Sequence, residues 1–272
     1  MKRLSFVFCL MFLSHLAFAE GFKLSGGIGF SYMNHYAMSK YSVDNALKDI
    51  SENSTTKKMY NSMMVGLDLK FGGNLTYNEF GGYLSINVGM PYKVSMIAPS
   101  PIDVLLNATA LNKLNSSLIT DSQLGLYVNL FSKSPVQLYF GTGVAFNWVK
   151  SQRELSSSSL SKLHNQDGSL LDVSKIASVS EQSNTKMVGI GSIIGLTCYF
   201  SESIGFFFSI HDSFYFYDMG SDSTLIGKFS NGNDFTYRIA KDGKITNDNI
   251  STFGKNTYTN NFGVKAGFSF RV

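Results

Sequence analysis

The sequence is poor in cysteine, proline and charge, and after its first twenty residues it holds no apolar run that could form a membrane-spanning helix. Of its 272 residues two are cysteine, four are proline and 15% are charged. Once an N-terminal signal is removed, Cys198 is the only cysteine left, which excludes an internal disulfide and a small cystine-stapled fold. The best later helix candidate, Met187 to Phe200, is interrupted by glycine, serine and threonine and is shorter than the roughly 18 residues that a transmembrane helix needs. Because the few charges form no basic stripe, we predict no nucleic-acid partner.

The N-terminus has the pattern of a secretory signal peptide. Met1-Lys2-Arg3 is a basic start, Leu4 to Leu16 is an apolar core, and Ala17-Phe18-Ala19 matches the small-x-small cleavage motif. The core is too short to span a bilayer comfortably, which favours cleavage before Glu20 over anchoring. Phe8 precedes Cys9, where a lipoprotein motif needs a small residue. We therefore predict a cleaved signal at 1–19 and an exported domain at 20–272.

Glycine and aromatic residues are abundant, with 25 Gly, 23 Phe and 14 Tyr, and this mixture favours strands and turns over helices. Eight segments of about ten residues place apolar residues at every second position, the length and period of a strand that crosses a bilayer at a tilt. The segments are 22–32, 62–71, 80–89, 123–130, 137–148, 188–200, 204–213 and 262–271. Bacterial single-chain barrels have an even number of strands. The prediction is all-β: an eight-stranded antiparallel transmembrane β-barrel with long extracellular loops.

The connections between the segments alternate in length. Short links are predicted at 72–78, 132–136 and 201–203, and long loops at 34–59, 91–118, 150–184 and 218–255. Short periplasmic turns and long outer loops are typical of such barrels, and this order puts both chain ends on the periplasmic side. Within the loops we predict a short helix from Pro101 to Leu114, a weaker one over 42–50, a flexible start at 156–159 and a hairpin around Asp242-Gly243.

Aromatic residues on the apolar face mark both ends of the segments. The inner set is Phe22, Phe71, Phe80, Phe200 and Phe270, and the outer set is Tyr32, Trp148, Phe216 and Tyr258. Two such belts are expected where amphipathic rings lie at the membrane interfaces. A soluble β-sandwich also has alternating strands and is the alternative fold, but its apolar face is hidden and needs no belts.

The C-terminal strand carries a recognisable pattern. Lys265, Gly267, Phe270 and Val272 resemble the terminal signal that the barrel assembly machinery of the outer membrane reads, with Val272 in place of the usual final aromatic. The whole chain after the signal is similar to the small eight-stranded outer-membrane barrels of the OmpW, OmpX and OmpA-transmembrane type. This resemblance implies a monomer in the bacterial outer membrane, with that machinery and membrane lipid as partners. It implies no cofactor.

The interior of the predicted barrel holds a few charged residues. They concentrate towards the periplasmic end and are Lys23, Asp68, Lys70, Glu79 and Arg271. Because the first, second and last strands become neighbours on closure, Lys23, Asp68 and Arg271 are expected to meet, either as an ionic gate or as a structural network. The upper lumen is expected to carry less charge. Eight strands leave no room for a wide porin channel.

Three functions follow from this fold. The similarity to OmpW implies a narrow route for small apolar molecules, and the large loops suggest an adhesin or antigen that binds a host or environmental ligand without transport. The third is a lipid A-modifying enzyme, since His211-Asp212-Ser213 resembles the His-x-Ser of outer-membrane deacylases. The predicted register turns His211 and Ser213 inward, and the asparagine that follows in that family is missing. We therefore predict no enzyme activity. Because His35 and His164 each lie alone in a predicted loop, we also predict no metal site.

Overall fold

A computed structural model of the chain describes residues 22–43, 53–75, 77–98, 114–155, 172–219, 222–239 and 252–271. These residues form ten strands and one short 3₁₀ helix, Val173–Lys175. The strands are β1 Phe22–Val43, β2 Asn53–Leu75, β3 Asn78–Ala98, β4 Leu114–Leu130, β5 Val136–Leu155, β6 Ile176–Tyr199, β7 Ile204–Asp218, β8 Asp222–Phe229, β9 Asp234–Ile239 and β10 Thr252–Arg271. In the described part of the chain, no helix has the length and apolar character needed to cross a membrane.

Eight of the strands close into a barrel. Their order is β5-β4-β3-β2-β1-β10-β7-β6, and β5 also pairs with β6, which closes the ring. All of these pairings are antiparallel. The predicted eight-stranded antiparallel barrel is therefore confirmed. We call the end with the β2–β3, β4–β5 and β6–β7 turns the turn end, and the opposite end the loop end.

Side chains alternate between the two faces of the wall, and the apolar ones point outward. Along β7 every second residue is exposed, from Ile204 to Phe216, and on β1 Phe30 is 78% exposed. The inward set is buried and largely polar, including the fully buried Lys265. This is the reverse of a water-soluble sheet, where apolar residues are covered, and it contradicts the β-sandwich alternative.

Exposed aromatic rings lie at both ends of the outward apolar face. Phe80, Phe200 and Phe270 are exposed near the turn end, and Tyr32, Trp148 and Phe216 are exposed towards the loop end. Phe71 is half-buried, and the side chains of Phe22 and Tyr258 lie outside the described set. The two belts have the placement expected of rings at the two interfaces of a bilayer.

The strands are longer than predicted. β1 has 22 residues and β6 has 24, about twice the 9–11 that span a bilayer at a tilt. The predicted first loop, 34–59, is therefore strand at both ends, with 44–52 outside the described residues. Leu114, predicted to end a helix, is instead the first residue of β4. The strict alternation of apolar and polar residues that identified the eight segments does not continue into these extensions, so the sequence did not predict them as strands.

Beyond the loop end the wall divides into two sheets. The β3–β4 ladder stops at Gly89 and Ile119, whereas the β2–β3 ladder continues to Ala98. The β7–β10 ladder stops at Tyr215 and Thr259, whereas β10 continues along β1 up to Val43. The extensions of β10, β1, β2 and β3 thus form one sheet, and those of β4, β5 and β6 join β8 and β9 in the other.

The predicted fourth loop contains a hairpin over 222–239 that the sequence analysis did not predict. β8 pairs with β6 beyond the end of β7, and β9 returns along β8. The chain turns at 230–233, where Gly232 has a φ of +88° that other residues rarely adopt. The predicted turn at Asp242-Gly243 lies outside the described residues, as do residues 101–113 of the predicted helix, 44–50 of the weaker helix and the segment 156–159.

Candidate functional site in the barrel lumen

An ion pair crosses the centre of the lumen. Lys265 Nζ on β10 lies 2.7 Å from Asp68 Oδ1 on β2, and both side chains are buried. β1 separates these two strands, so the lysine must reach past its neighbour. Gly66 makes this reach possible, because a Cβ at that position would lie 2.4 Å from Lys265 Nζ. A buried ion pair needs such close geometry to offset the loss of hydration of both charges.

A cation–π contact lies next to the ion pair. Lys70 Nζ lies 3.1 Å from the centre of the Tyr139 ring, which reaches into the lumen from β5. Gly195 leaves room for this ring, since a Cβ there would lie 2.2 Å from Tyr139 Cζ. The contact connects strands on different sides of the barrel and places a second lysine in the lumen with its charge facing an aromatic surface.

Hydrogen bonds fill the turn end of the lumen. The Tyr127 hydroxyl donates to Glu79, and Asn129 Nδ2 donates to Gln137 Oε1 at 2.8 Å. Gln137 Nε2 in turn donates to the carbonyl of Ser132 at 2.8 Å. Glu79 therefore lies in the predicted interior, held by neutral donors. We refer to Asp68, Lys70, Glu79, Tyr127, Tyr139 and Lys265 together as the lumen network.

A buried carboxylate lies nearer the loop end. Asp121 Oδ2 accepts hydrogen bonds from the Tyr215 hydroxyl and from Asn261 Nδ2, each at 2.6 Å. The expectation of a less charged upper lumen missed this group, because Asp121 precedes the predicted fourth segment by two residues. Asp121 lies two residues before Gln123, so both side chains face the lumen from β4. This spacing could have identified Asp121 as an inward residue from the sequence.

Apolar side chains surround this upper region. One cluster consists of Met33, Met64 and Ile119, and another of Ala145, Met187 and Tyr215. His35 is buried close by, with its Nε2 2.6 Å from Ser62 Oγ, so the structure places it in the wall of the lumen and not in a loop. The described residues contain no group of three or more His, Cys, Asp or Glu side chains arranged to hold a metal.

Around the lumen network, the described residues leave almost no free space. The gap beside Asp68, Lys70, Tyr139 and Phe207 has a volume of about 10 Å³, which is room for about one water molecule. A closed eight-stranded barrel is expected to be filled by its own side chains in this way.

Two of the predicted network residues lie apart from the central ion pair. The Arg271 guanidinium lies 4.2 Å from the centre of the Tyr199 ring, and its Nε donates to the carbonyl of Glu202 in the β6–β7 turn. Lys23 is half-buried and pairs with Gly72 in the β1–β2 ladder. Asp68 pairs with Gly27, which lies four residues further along β1. The expected meeting of Lys23, Asp68 and Arg271 is thus replaced by the pair of Asp68 with Lys265.

The residues of the C-terminal pattern are divided between the two faces. Lys265 and Gly267 face the lumen and Phe270 is exposed on the outward face, while Val272 lies outside the described residues. Lys265 belongs to the lumen network. The sequence analysis did not include it among the charged lumen residues, because it assigned Lys265 to the C-terminal pattern that resembles an assembly signal.

His211 and Ser213 are both buried in the lumen but do not contact each other as base and nucleophile. His211 Nε2 lies 2.9 Å from Ser209 Oγ. Ser213 Oγ accepts a hydrogen bond from Gln123 Nε2 at 2.7 Å, and Gln123 Oε1 accepts one from the Tyr83 hydroxyl. A nucleophile requires a base within hydrogen-bond reach and access to substrate. This geometry provides neither for Ser213.

A family model described as a domain of unknown function (DUF2715) matches residues 18–272. The chain belongs to the DUF2715 family. No curated protein matches its sequence. The barrel described above is thus the fold of a DUF2715 domain, and the match extends over all ten strands.

Several solved barrels resemble this DUF2715 domain in shape. The outer membrane protein OprG of Pseudomonas aeruginosa is 11% identical, with 93% of this chain and 97% of that chain covered and a TM-score of 0.48. A major outer membrane protein of Thermus thermophilus is 11% identical over 89% and 99%, at 0.45. The outer membrane protease OmpT of Escherichia coli is 9% identical over 94% and 99%, at 0.36. All three TM-scores lie below 0.5.

Proposed function

We propose that the protein is a non-enzymatic barrel of the bacterial outer membrane that displays its strand extensions and loops at the cell surface and has a closed lumen. The observation that carries this proposal is the inverted distribution of side chains. Exposed apolar residues form the outward face, and polar and charged residues are buried inside. Only a lipid environment makes such a surface stable in a single chain, and a closed barrel leaves no backbone group unpaired there.

The sequence patterns near the two termini support export of the protein and its insertion into the outer membrane. In this proposal residues 1–19 are removed as a signal peptide, and the barrel assembly machinery reads Lys265, Gly267, Phe270 and Val272. Both ends of the barrel domain then lie in the periplasm, and the hairpin of β8 and β9 lies outside the cell. The protein functions as a monomer, with outer-membrane lipid as its immediate partner.

The displayed region is the part of the molecule best suited to contact other surfaces. The extensions of β5 and β6 remain paired as far as Leu155 and Val179, well beyond the aromatic belt at Trp148. The hairpin of β8 and β9 enlarges this sheet, with Phe229 and Phe235 packed at 4.8 Å between ring centres. A strand-built extension of this kind holds the β8–β9 turn at 230–233 in a fixed position, which suits recognition of a host or environmental ligand.

The packed lumen disfavours a function as a channel for small apolar molecules. We expect the protein, reconstituted in planar bilayers and in liposomes, to show no steady ion conductance and no uptake of small sugars, because the lumen network fills the pore. An open trimeric porin in the same preparation is the positive control. Reproducible single-channel steps, or swelling of liposomes in a permeant solute, would contradict a closed lumen.

A further inference from the structure

Two turns at the turn end are joined into one rigid unit. The backbone N–H of Ser132, in the β4–β5 turn, donates to the carbonyl of Tyr77, in the β2–β3 turn, at 2.9 Å. The Ser132 hydroxyl also donates to Asn74 Oδ1 at 3.2 Å. Within the β4–β5 turn, Ser134 N–H donates to the carbonyl of Phe131 at 2.8 Å. These bonds fix the backbone from which three exposed side chains project, Tyr77, Phe131 and Lys133, which we call the turn platform.

Phe131 is held in a backbone conformation that its side chain disfavours. Its φ is +59°, and it is the only non-glycine residue with positive φ in the described part of the chain. A bulky residue is an outlier in this region, whereas glycine or asparagine would occupy it with less strain. No packing inside the protein explains the choice, because the Phe131 side chain is 61% exposed. Strain kept at an exposed aromatic points to a contact outside the protein.

The two neighbours of Phe131 indicate what that contact is. Tyr77 is 70% exposed, and Lys133 Nζ lies 5.6 Å from the centre of its ring. Phe131 directly follows Leu130 at the end of β4, and Tyr77 precedes the outward-facing Phe80 by three residues. The turn platform therefore continues the apolar band just past its edge, at the depth of phospholipid headgroups, where aromatic rings and lysines accumulate.

We propose that the turn platform binds the headgroups of phospholipids in the inner leaflet of the outer membrane. Phe131 and Tyr77 insert between the headgroups, and the Lys133 ammonium pairs with a lipid phosphate. The platform would thus set the depth and tilt of the barrel. This inference rests on the placement of the barrel in a membrane, and a soluble periplasmic partner is the competing occupant of the same surface.

Depth-dependent fluorescence quenching distinguishes the two occupants. The chain has one tryptophan, Trp148, so the variant Trp148→Phe provides a background for Phe131→Trp. In vesicles of phosphatidylethanolamine and phosphatidylglycerol, we expect bromine placed near the headgroup to quench this tryptophan at least about twofold more than bromine deep in the chains. Iodide in the water should quench it at least about threefold less than a tryptophan introduced as Ser230→Trp in the hairpin turn.

The control separates failure of this inference from failure of the membrane placement. Phe140→Trp in the same background lies on the outward face of β5 and should be quenched by the brominated lipids in any case. One outcome would be that the brominated lipids quench the tryptophan of Phe140→Trp, while iodide quenches the tryptophan of Phe131→Trp as strongly as that of Ser230→Trp. The turn platform would then face water, and the inference would be wrong. If neither responds to lipid, the membrane placement itself fails.

A second variant removes the strain and the ring together. In detergent micelles, Phe131→Gly should lower the unfolding equilibrium constant by about tenfold, because glycine adopts a positive φ freely. In the phospholipid vesicles that gain should disappear, because the ring no longer contacts the headgroups. An equal gain in vesicles and micelles would show that Phe131 makes no useful contact with lipid and would overturn the proposal.

Discussion

Replacing Asp68 with asparagine is expected to lower the free energy of unfolding by about 3–5 kcal/mol, the usual cost of leaving one member of a buried ion pair without its partner. Lys265 would then keep a charge inside the barrel with no carboxylate at 2.7 Å. Lys265→Met should have a similar cost for the converse reason. Urea titration of the protein in vesicles, followed by the heat-modifiable mobility of the barrel on gels, measures both.

The double variant Asp68→Asn with Lys265→Met tests whether the two groups act as a pair. It should cost less than the sum of the single variants by about 2 kcal/mol or more, because no buried charge is left uncompensated. Lys228→Met is the matched control, since the ion pair of Lys228 and Asp234 is exposed and should contribute less than about 1 kcal/mol. Small and additive effects of the two lumen variants would mean that water solvates Asp68 and Lys265.

Replacing Gly267 with valine is expected to prevent closure of the barrel. A Cβ at this position would lie 2.1 Å from the carbonyl oxygen of Ile28 and 2.4 Å from the Cα of Gly29. These are backbone atoms of the adjacent strand, so no rotamer change relieves the clash. The cost should reach or exceed the upper end of the roughly 1–3 kcal/mol that overpacking usually brings, and the yield of folded barrel should fall accordingly.

Refolding into vesicles without the assembly machinery isolates this effect. Gly267 also belongs to the C-terminal pattern that resembles an assembly signal, and a role in recognition alone would leave folding in vitro unchanged. The adjacent variant Ala266→Val, on the exposed outward face, should refold normally. If Gly267→Val refolds as well as Ala266→Val, the close approach of β1 and β10 is not what requires glycine here.

The faces of the strands were predictable because, in the outer-membrane setting that we propose, lipid imposes a strict rule on them. An outward residue in the bilayer must be apolar, so the alternation between Phe268 and Ser269 or between Ile210 and His211 is visible in the sequence alone. The extensions above the belts follow no such rule. Neither face of β1 beyond Tyr36 needs to be apolar, and its pairing as far as Val43 therefore left no periodic signal.

The partners inside the lumen were harder to predict, because they depend on reach across the barrel. Neighbouring strands suggested that Lys23 and Arg271 would meet Asp68, but the observed partner is Lys265, six residues before Arg271 on the same strand, β10. Whether Lys265 can reach Asp68 depends on the missing side chain at Gly66 and on the register of β1 with both neighbours. Position along one strand shows that a side chain faces inward but does not show which other inward group it meets.

Labelling of intact cells tests most directly whether the barrel crosses the outer membrane with its hairpin outside. In a Cys198→Ser background, Ser230→Cys places a thiol at the β8–β9 turn, and Lys133→Cys places one in the β4–β5 turn. A membrane-impermeant maleimide should label position 230 on intact cells and position 133 only after the outer membrane is permeabilised. Labelling of position 230 only after permeabilisation, or equal labelling of both in a soluble periplasmic fraction, would contradict the account.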